Sequence, residues 1–259
     1  IAGGEQAVSL APRESRTVLI HTASPLPTEK LHSLNVDLIR PDAPPVRTQI
    51  TLPPAVPVEK RRFEDWRSFD FLKEKNLIVL NRRTDVQPPD PSVPWDGPED
   101  LSAKLFFAWD AENFYLFAEV TDDIHSNLFD GGEIWKGDVI QFCFDTRNDA
   151  LPAAGYDHND FEFGIALGKI PWCWYSPDGR TGAARTLRTE ITRSGNLTTY
   201  RAAIPWKSIG MHPKAGDLFG FALGVHDRDG NQSGYYLAFG RGVVSRKNPS
   251  LAKKMILQE

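Results

Sequence analysis

Apolar residues fall on every second position from Ala103 to Trp109 and again from Phe114 to Val120, with a short polar stretch between the two runs. A two-residue period puts all the apolar side chains on one face of an extended chain, whereas an amphipathic helix needs them every three or four residues. Ala103, Leu105, Phe107 and Trp109 therefore predict one strand and Phe114, Leu116, Ala118 and Val120 its partner, in a β-hairpin closed by residues 110–113. The signal recurs: 186–192 with 197–204 across a Ser-Gly-Asn turn, and 219–226 with 234–239 across 227–230. Residues 138–145 and 161–167 add single strands, the second with Phe161, Phe163, Ile165 and Leu167 on one face and Glu162, Gly164 and Ala166 on the other. Strands this short and this closely spaced predict an all-β chain folded as a two-sheet antiparallel β-sandwich. Composition agrees, since 28 aromatic residues, 20 Gly and 20 Pro stand against only 2 Met. Only 206–209 and 249–256 offer a helical turn or two.

Proline divides the chain. Fourteen of the twenty prolines lie in the first hundred residues, which reads as linkers and short edge-type strands. Runs at 7–10, 16–21, 31–40 and 47–52 look like part of a small β-sandwich, Leu34, Val36 and Leu38 forming the clearest face. Pro53, Pro54 and Pro57 then place a boundary near residue 56, giving a β-rich segment 1–55 and a larger domain 56–259. From Phe63 to Asp100 the pattern is irregular apart from a strand at 76–81, and 87–99, with five prolines, is a long loop. A start at Ile1 without Met or a signal-peptide pattern suggests a processed chain or a piece of a longer one.

Several functions are disfavoured. The net charge of −4 argues against a nucleic-acid partner, and no stretch approaches the ~20 apolar residues that a membrane-spanning helix needs. Common nucleophile, zinc-protease and phosphate-loop signatures are missing, and the six histidines hold no i, i+4 pair. Cys143 and Cys173 are the only cysteines, so they either pair once or stay as two buried thiols. Carboxylates are plentiful. A glycosidase pair such as Asp138 with Glu162 stands as an alternative, although turn capping accounts for most such acids. Asp122 with Asp123, Asp157 with Asp160, and the 227–230 turn are each able to offer oxygen ligands to a structural calcium ion.

Trp109 and Trp206 read as core. Trp135 differs, because it lies in the polar, glycine-bounded segment GGEIWKG (131–137), where an exposed flat ring suits stacking on the C–H face of a sugar. Trp172 and Trp174, in PWCWY (171–175), share one side of an extended segment and form either a second platform or packing between sheets.

In order, DLSAK (100–104), FAWD (107–110), FYLFAEVTDD (114–123), WKGDVIQFCFD (135–145) and YRAAIPW (200–206) resemble a family 9 carbohydrate-binding module, a branch of the DOMON-like β-sandwiches. The resemblance covers about 56–259. It implies non-catalytic binding of a polysaccharide or oligosaccharide, by an accessory module covalently linked to a catalytic domain in a longer secreted, extracellular or periplasmic protein, with structural calcium in some members. Trp135 matches one of two tryptophans that sandwich a sugar, and Gln141 falls where a hydrogen-bonding Glu is usual. Lys136, Gln141, Glu162 and Arg246 complete the expected contacts, with Trp172 and Trp174 nearby. The second sandwich tryptophan has no counterpart in GVVSRKNPS (242–250), where Arg246 takes roughly its place, which tilts the reading toward an anionic glycan. Gly164 stands where an arginine is expected. Residues before about 56 most resemble an immunoglobulin-like linker domain. A hydrolase or lyase subunit, a haem-binding relative and a sandwich that only docks a partner remain the competing readings.

Overall fold

A computed structural model describes residues 32–40, 43–52, 54–152, 155–229, 234–244 and 247–259. The chain divides into two compact units, 1–54 and 55–259. In the first, β1 (His32–Arg40) pairs antiparallel with β2 (Ala43–Leu52), Val36 opposite Thr48, with an irregularity between Leu38 and Arg40. Asp37 and Arg47 face each other in that register and form an ion pair at 2.8 Å. The expected strands at 7–10 and 16–21 lie outside the described residues.

The second unit holds fourteen of the described strands in one curled sheet. The first hairpin is β6 (Leu101–Trp109) with β7 (Asn113–Asp122), and β7 is flanked by β13 (Leu197–Pro205), itself paired with β12 (Arg188–Ser194). Short β4 (Ile78–Leu80) borders β6. The second layer runs β11 (Gly182–Ala183), β10 (Trp172–Tyr175), β9 (Asp160–Ile165), β8 (Ile140–Asp145), β14 (Leu218–Asp227), β15 (Tyr235–Phe239) and β5 (Val86–Gln87).

The layers are joined because two strands change partner along their length. β14 pairs with β16 (Lys253–Gln258) over Leu218–Phe221 and with β15 beyond Leu223, while β6 pairs with β4 and then, at Ala108 and Trp109, with β3 (Ala55–Lys60). β3 and β16 pair with each other and close the gap. Two departures from the sequence reading follow. The β3 pairings are parallel in an otherwise antiparallel sheet, and 249–256 is a 3-10 turn at Pro249–Leu251 followed by a strand rather than a helix. Met255 and Leu257 point inward from it, two residues apart as in a strand, and β14 and β3 pair with it on either side.

Between the layers, Phe107, Phe114 and Leu116 meet Phe142, Phe144, Phe161, Phe163, Phe219 and Phe221. Phe114 lies at the centre, its ring 5.4–5.9 Å from those of Phe107, Phe144, Trp206, Phe219 and Phe221. Trp109 and Trp206 are buried as expected, and their indole N–H groups donate to the Gln258 and Asp110 carbonyls, both at 2.9 Å. The other face of β6 and β7 is buried too, because Phe63, Trp66, Phe69 and Phe71 from the irregular segment cover Phe106, Tyr115 and Phe117. Cys143 and Cys173 are free thiols on opposite faces of the second layer, so they do not pair.

Candidate functional site

The outer face of the second layer carries what is not core. Alternation along β8, β9 and β14 sends Phe142, Phe163 and Leu223 inward, which leaves Gln141, Glu162, Gly164 and Gly224 on the outside. Register places Gly164, Gln141 and Gly224 side by side on three adjacent strands.

A 3-10 turn at Gly131–Lys136 sits over this face, and Trp135 projects from it 47% exposed. Its neighbour Ile134 is fully buried against Val139 and Ala166, so the turn is anchored by one residue and presents the next. Trp172 packs beneath Gly131 and Gly132, where an added Cβ would lie 3.3 Å from the indole. Trp174 donates its N–H to the Gly132 carbonyl at 2.9 Å. Asn127 bonds the Ile134 and Asp138 carbonyls at 3.0 Å each, and Arg228 bonds the Lys136 carbonyl at 3.0 Å. Trp172 and Trp174 do share one side of their strand, and the structure uses both to seat the turn that holds Trp135. Lys136 pairs with Glu133, and its ammonium lies 5.7 Å from the ring centroids of both Trp135 and Phe129.

Trp174 also explains Gly164. A Cβ there would stand 2.4 Å from the indole, so the ring occupies the space where a longer side chain was expected. On the other side of Gln141, a Cβ on Gly224 would meet Val244 at 2.8 Å and Tyr236 at 3.1 Å. Gln141 thus lies in a slot roofed from both sides. Its amide N–H bonds the Glu162 carboxylate, which also receives Lys247, and both Gln141 and Glu162 are buried while Lys247 stays partly exposed. Around this network burial pushes the Cys143 thiol up to about 12, and it lowers His226, helped by Lys247 and Arg228, to about 3. Lys247 was missed from sequence. Its neighbour Arg246, which was chosen, lies outside the described residues, and a lysine in a loop more than eighty positions from Glu162 carries no local sign of its partner.

The acidic turns separate into two groups. Asp122 and Asp123 at the end of β7 meet Asp100, Asp227 and Asp229, with carboxylate oxygens within 4.8 Å of one another in two overlapping triads, and Asp122, His125 and Asp138 form a third. Oδ1 of Asp122, Oδ1 of Asp229 and both oxygens of Asp227 are buried without a hydrogen bond, the Tyr235 hydroxyl proton going to Asp100 at 2.6 Å. Burial and the neighbouring acids lift Asp138 to about 8 and Asp227 to about 7, despite amide bonds from Ser126 and Arg228 to Asp138. Such a crowd of oxygens suits a hard divalent cation. Asp157 and Asp160 lie on another loop and mostly cap it: Asp157 accepts from Asn159 at 2.9 and 3.0 Å, and Asp160 from the Asp157 amide at 2.7 Å. Asp138 and Glu162, the paired-carboxylate alternative, belong to two separate networks.

Comparison with known proteins agrees with this architecture. The family described as "Carbohydrate family 9 binding domain-like" matches residues 89–251, well over half of the chain. Two solved structures of a family 9 carbohydrate binding module from Caldicellulosiruptor kristjanssonii, one in complex with cellotriose and one with glucose, have the same fold. Each superposes with a TM-score of 0.59 at 16% identity, covering 79% of this chain and 93% or 95% of theirs. Endo-1,4-beta-xylanase A of Thermotoga neapolitana is 24% identical over 152 residues, which are 59% of this chain and 13% of the xylanase. This chain therefore matches only a small part of that relative's length. With the family match running from before β6 to beyond β15 and including the turn that presents Trp135, the chain belongs to the carbohydrate family 9 binding domain-like family of non-catalytic carbohydrate-binding modules.

Proposed function

We propose that the module binds a neutral β-linked oligosaccharide on the outer face of the second layer, with Trp135 as the stacking platform. The observation that carries this reading is an aromatic ring left half exposed by a turn that buried Ile134 anchors and partly buried Trp172 and Trp174 seat. An ordered, exposed indole offers a sugar ring a flat apolar surface at little conformational cost. Gln141 spends its N–H on Glu162 and keeps its carbonyl for a sugar hydroxyl, while the partly exposed Lys247 ammonium supplies a donor. Three of the described cations here are compensated: Lys136 by Glu133, Lys247 by Glu162 and Lys169 by Asp130. That balance favours an uncharged glycan over an anionic one. Cellotriose and glucose in the related structures, and the xylanase relative, support the same class and a place as an accessory to a linked polysaccharide-degrading domain outside the cytoplasm. Calcium, held by Asp122, Asp123, Asp227 and Asp229 with Asp100, would neutralise the unpartnered oxygens and lock the ends of β7 and β14.

The test is titration calorimetry with cellotriose, xylotriose and an oligouronate on the wild type and on Trp135→Ala. Binding of a neutral trisaccharide should weaken by roughly ten- to a hundredfold in the variant, the ~1–3 kcal/mol carried by one exposed ring, with the melting temperature unchanged. Equal affinity in the variant, or preference for the uronate, defeats the proposal.

A further inference from the structure

On the opposite, inward side of the same strands, a cleft of about 350 Å³ opens at the end of the sandwich near the 3-10 turn Trp206–Ile209. Its walls come from Phe161, Phe163, Cys173 and Ala184, all of them nearly buried core residues. The rings of Phe161 and Phe163 are stacked, parallel to within 7° with centroids 6.3 Å apart, and give the cleft an aromatic floor. Burial pushes the Cys173 thiol up to about 11, so it stays neutral and adds to the apolar lining. The rim has the opposite character. Arg180, Arg185 and Lys207 stand around the mouth, and no carboxylate lines the cleft among the described residues. Arg180 is paired with Asp178, whereas Arg185 and Lys207 have no ion-pair partner among the described residues. The Ser208 hydroxyl, also in the lining, is buried with no hydrogen-bond partner.

We infer that this cleft is a second binding site, separate from the Trp135 face, for a small planar aromatic carboxylate. The ring lies over the floor formed by Phe161 and Phe163, and the carboxylate meets Arg185 and Lys207. The stacked Phe161 and Phe163 rings in the apolar floor favour an aromatic body, the two uncompensated cations select an anion, and the volume is of the size that holds a small ligand. In a chain of net charge −4, three cations around one apolar opening without an acid in its lining amount to charge complementarity for that class.

Cinnamate is the probe, with cinnamyl alcohol and acetate as the uncharged and ring-free controls. Titration of the whole chain, followed by amide chemical shifts, should show saturable binding of cinnamate at millimolar concentration or below, with shifts at Phe163, Ala184 and Ser208. Cinnamyl alcohol and acetate should each bind about tenfold more weakly, and Arg185→Gln combined with Lys207→Gln should weaken cinnamate about tenfold, as expected for two partly exposed charge contacts. Both substitutions are on the surface, and a retained melting temperature verifies the fold. Cellotriose affinity should be the same with and without cinnamate, which keeps this site distinct from the glycan face. No saturable binding, equal binding of the alcohol, an unaffected double variant, or shifts centred on Trp135 would each overturn the assignment.

Discussion

Gly164→Ala is the most direct probe of how the Trp135 turn is held. The new Cβ would lie 2.4 and 2.5 Å from two carbons of the Trp174 ring and 3.4 Å from Val139. Carbon atoms settle at about 3.5–4.0 Å, so the indole must retreat by roughly 1 Å. That movement strains or breaks its 2.9 Å bond to the Gly132 carbonyl, the bond that ties β10 to the turn. Overpacking of this kind costs about 1–3 kcal/mol and the lost hydrogen bond about 1 kcal/mol, offset by the roughly 0.5–1 kcal/mol that replacing a strand glycine returns. The net loss is about 2 kcal/mol, or about 4–8 °C of melting temperature for a domain of this size. Denaturant melts of Gly164→Ala, Trp174→Ala and the double variant provide the check. With the indole gone, the added methyl should be nearly neutral, giving a coupling of at least about 1 kcal/mol. Should Gly164→Ala stay within about 0.5 kcal/mol of wild type, or destabilise equally in both backgrounds, the steric account is wrong. Glycan affinity should fall with it, since a loosened turn no longer fixes Trp135.

Calcium at a hundred times its dissociation constant should stabilise the module by about 2.7 kcal/mol, seen as a rise of melting temperature that chelation reverses and Asp227→Asn abolishes; no shift on chelation would leave the cluster as a set of turns. Phe114→Ala removes the ring that touches five others in the core and should cost about 3–5 kcal/mol in urea unfolding; a cost below about 1 kcal/mol would mean that the core collapses around the gap. Cys143 should resist alkylation in the native state at pH 8 and react once the chain is unfolded. Because its folded pKa is raised to about 12, the unfolded chain loses this proton first, so the thiol's contribution to stability is intact below the usual cysteine range and fades as pH climbs toward 12. Cys143→Ala should flatten that alkaline loss.

The strands of the two-layer core were legible because period-2 alternation is a local property: Phe107, Phe114, Phe163 and Phe221 declare an inward face within a few residues of their own sequence. Trp135 was legible for a similar reason, as an aromatic among glycines and charges. What local pattern misses is anything that depends on a segment far along the chain. Phe106, Tyr115 and Phe117 point away from the main core, and only the covering segment with Phe63, Trp66 and Phe71 makes their strands buried on both faces. The strand at Lys253–Gln258 exists because β14 and β3 leave an edge to fill, a demand that its own short sequence does not state.

The site divides in the same way. The sequence by itself determined which side chains face outward from β9, and hence that Glu162 and Gly164 share a surface, because side-chain direction in a strand is set by parity, whereas the pairing of β8 with β9 put Gln141 beside them. Only the tertiary structure decided that Trp174 fills the space over Gly164, that Lys247 reaches Glu162, and that Asp100, Asp122 and Asp229 converge while Asp157 and Asp160 stay apart. Those contacts join residues brought together by strand order and curl, and their energy comes from burial and charge in three dimensions, which no local pattern of residues carries.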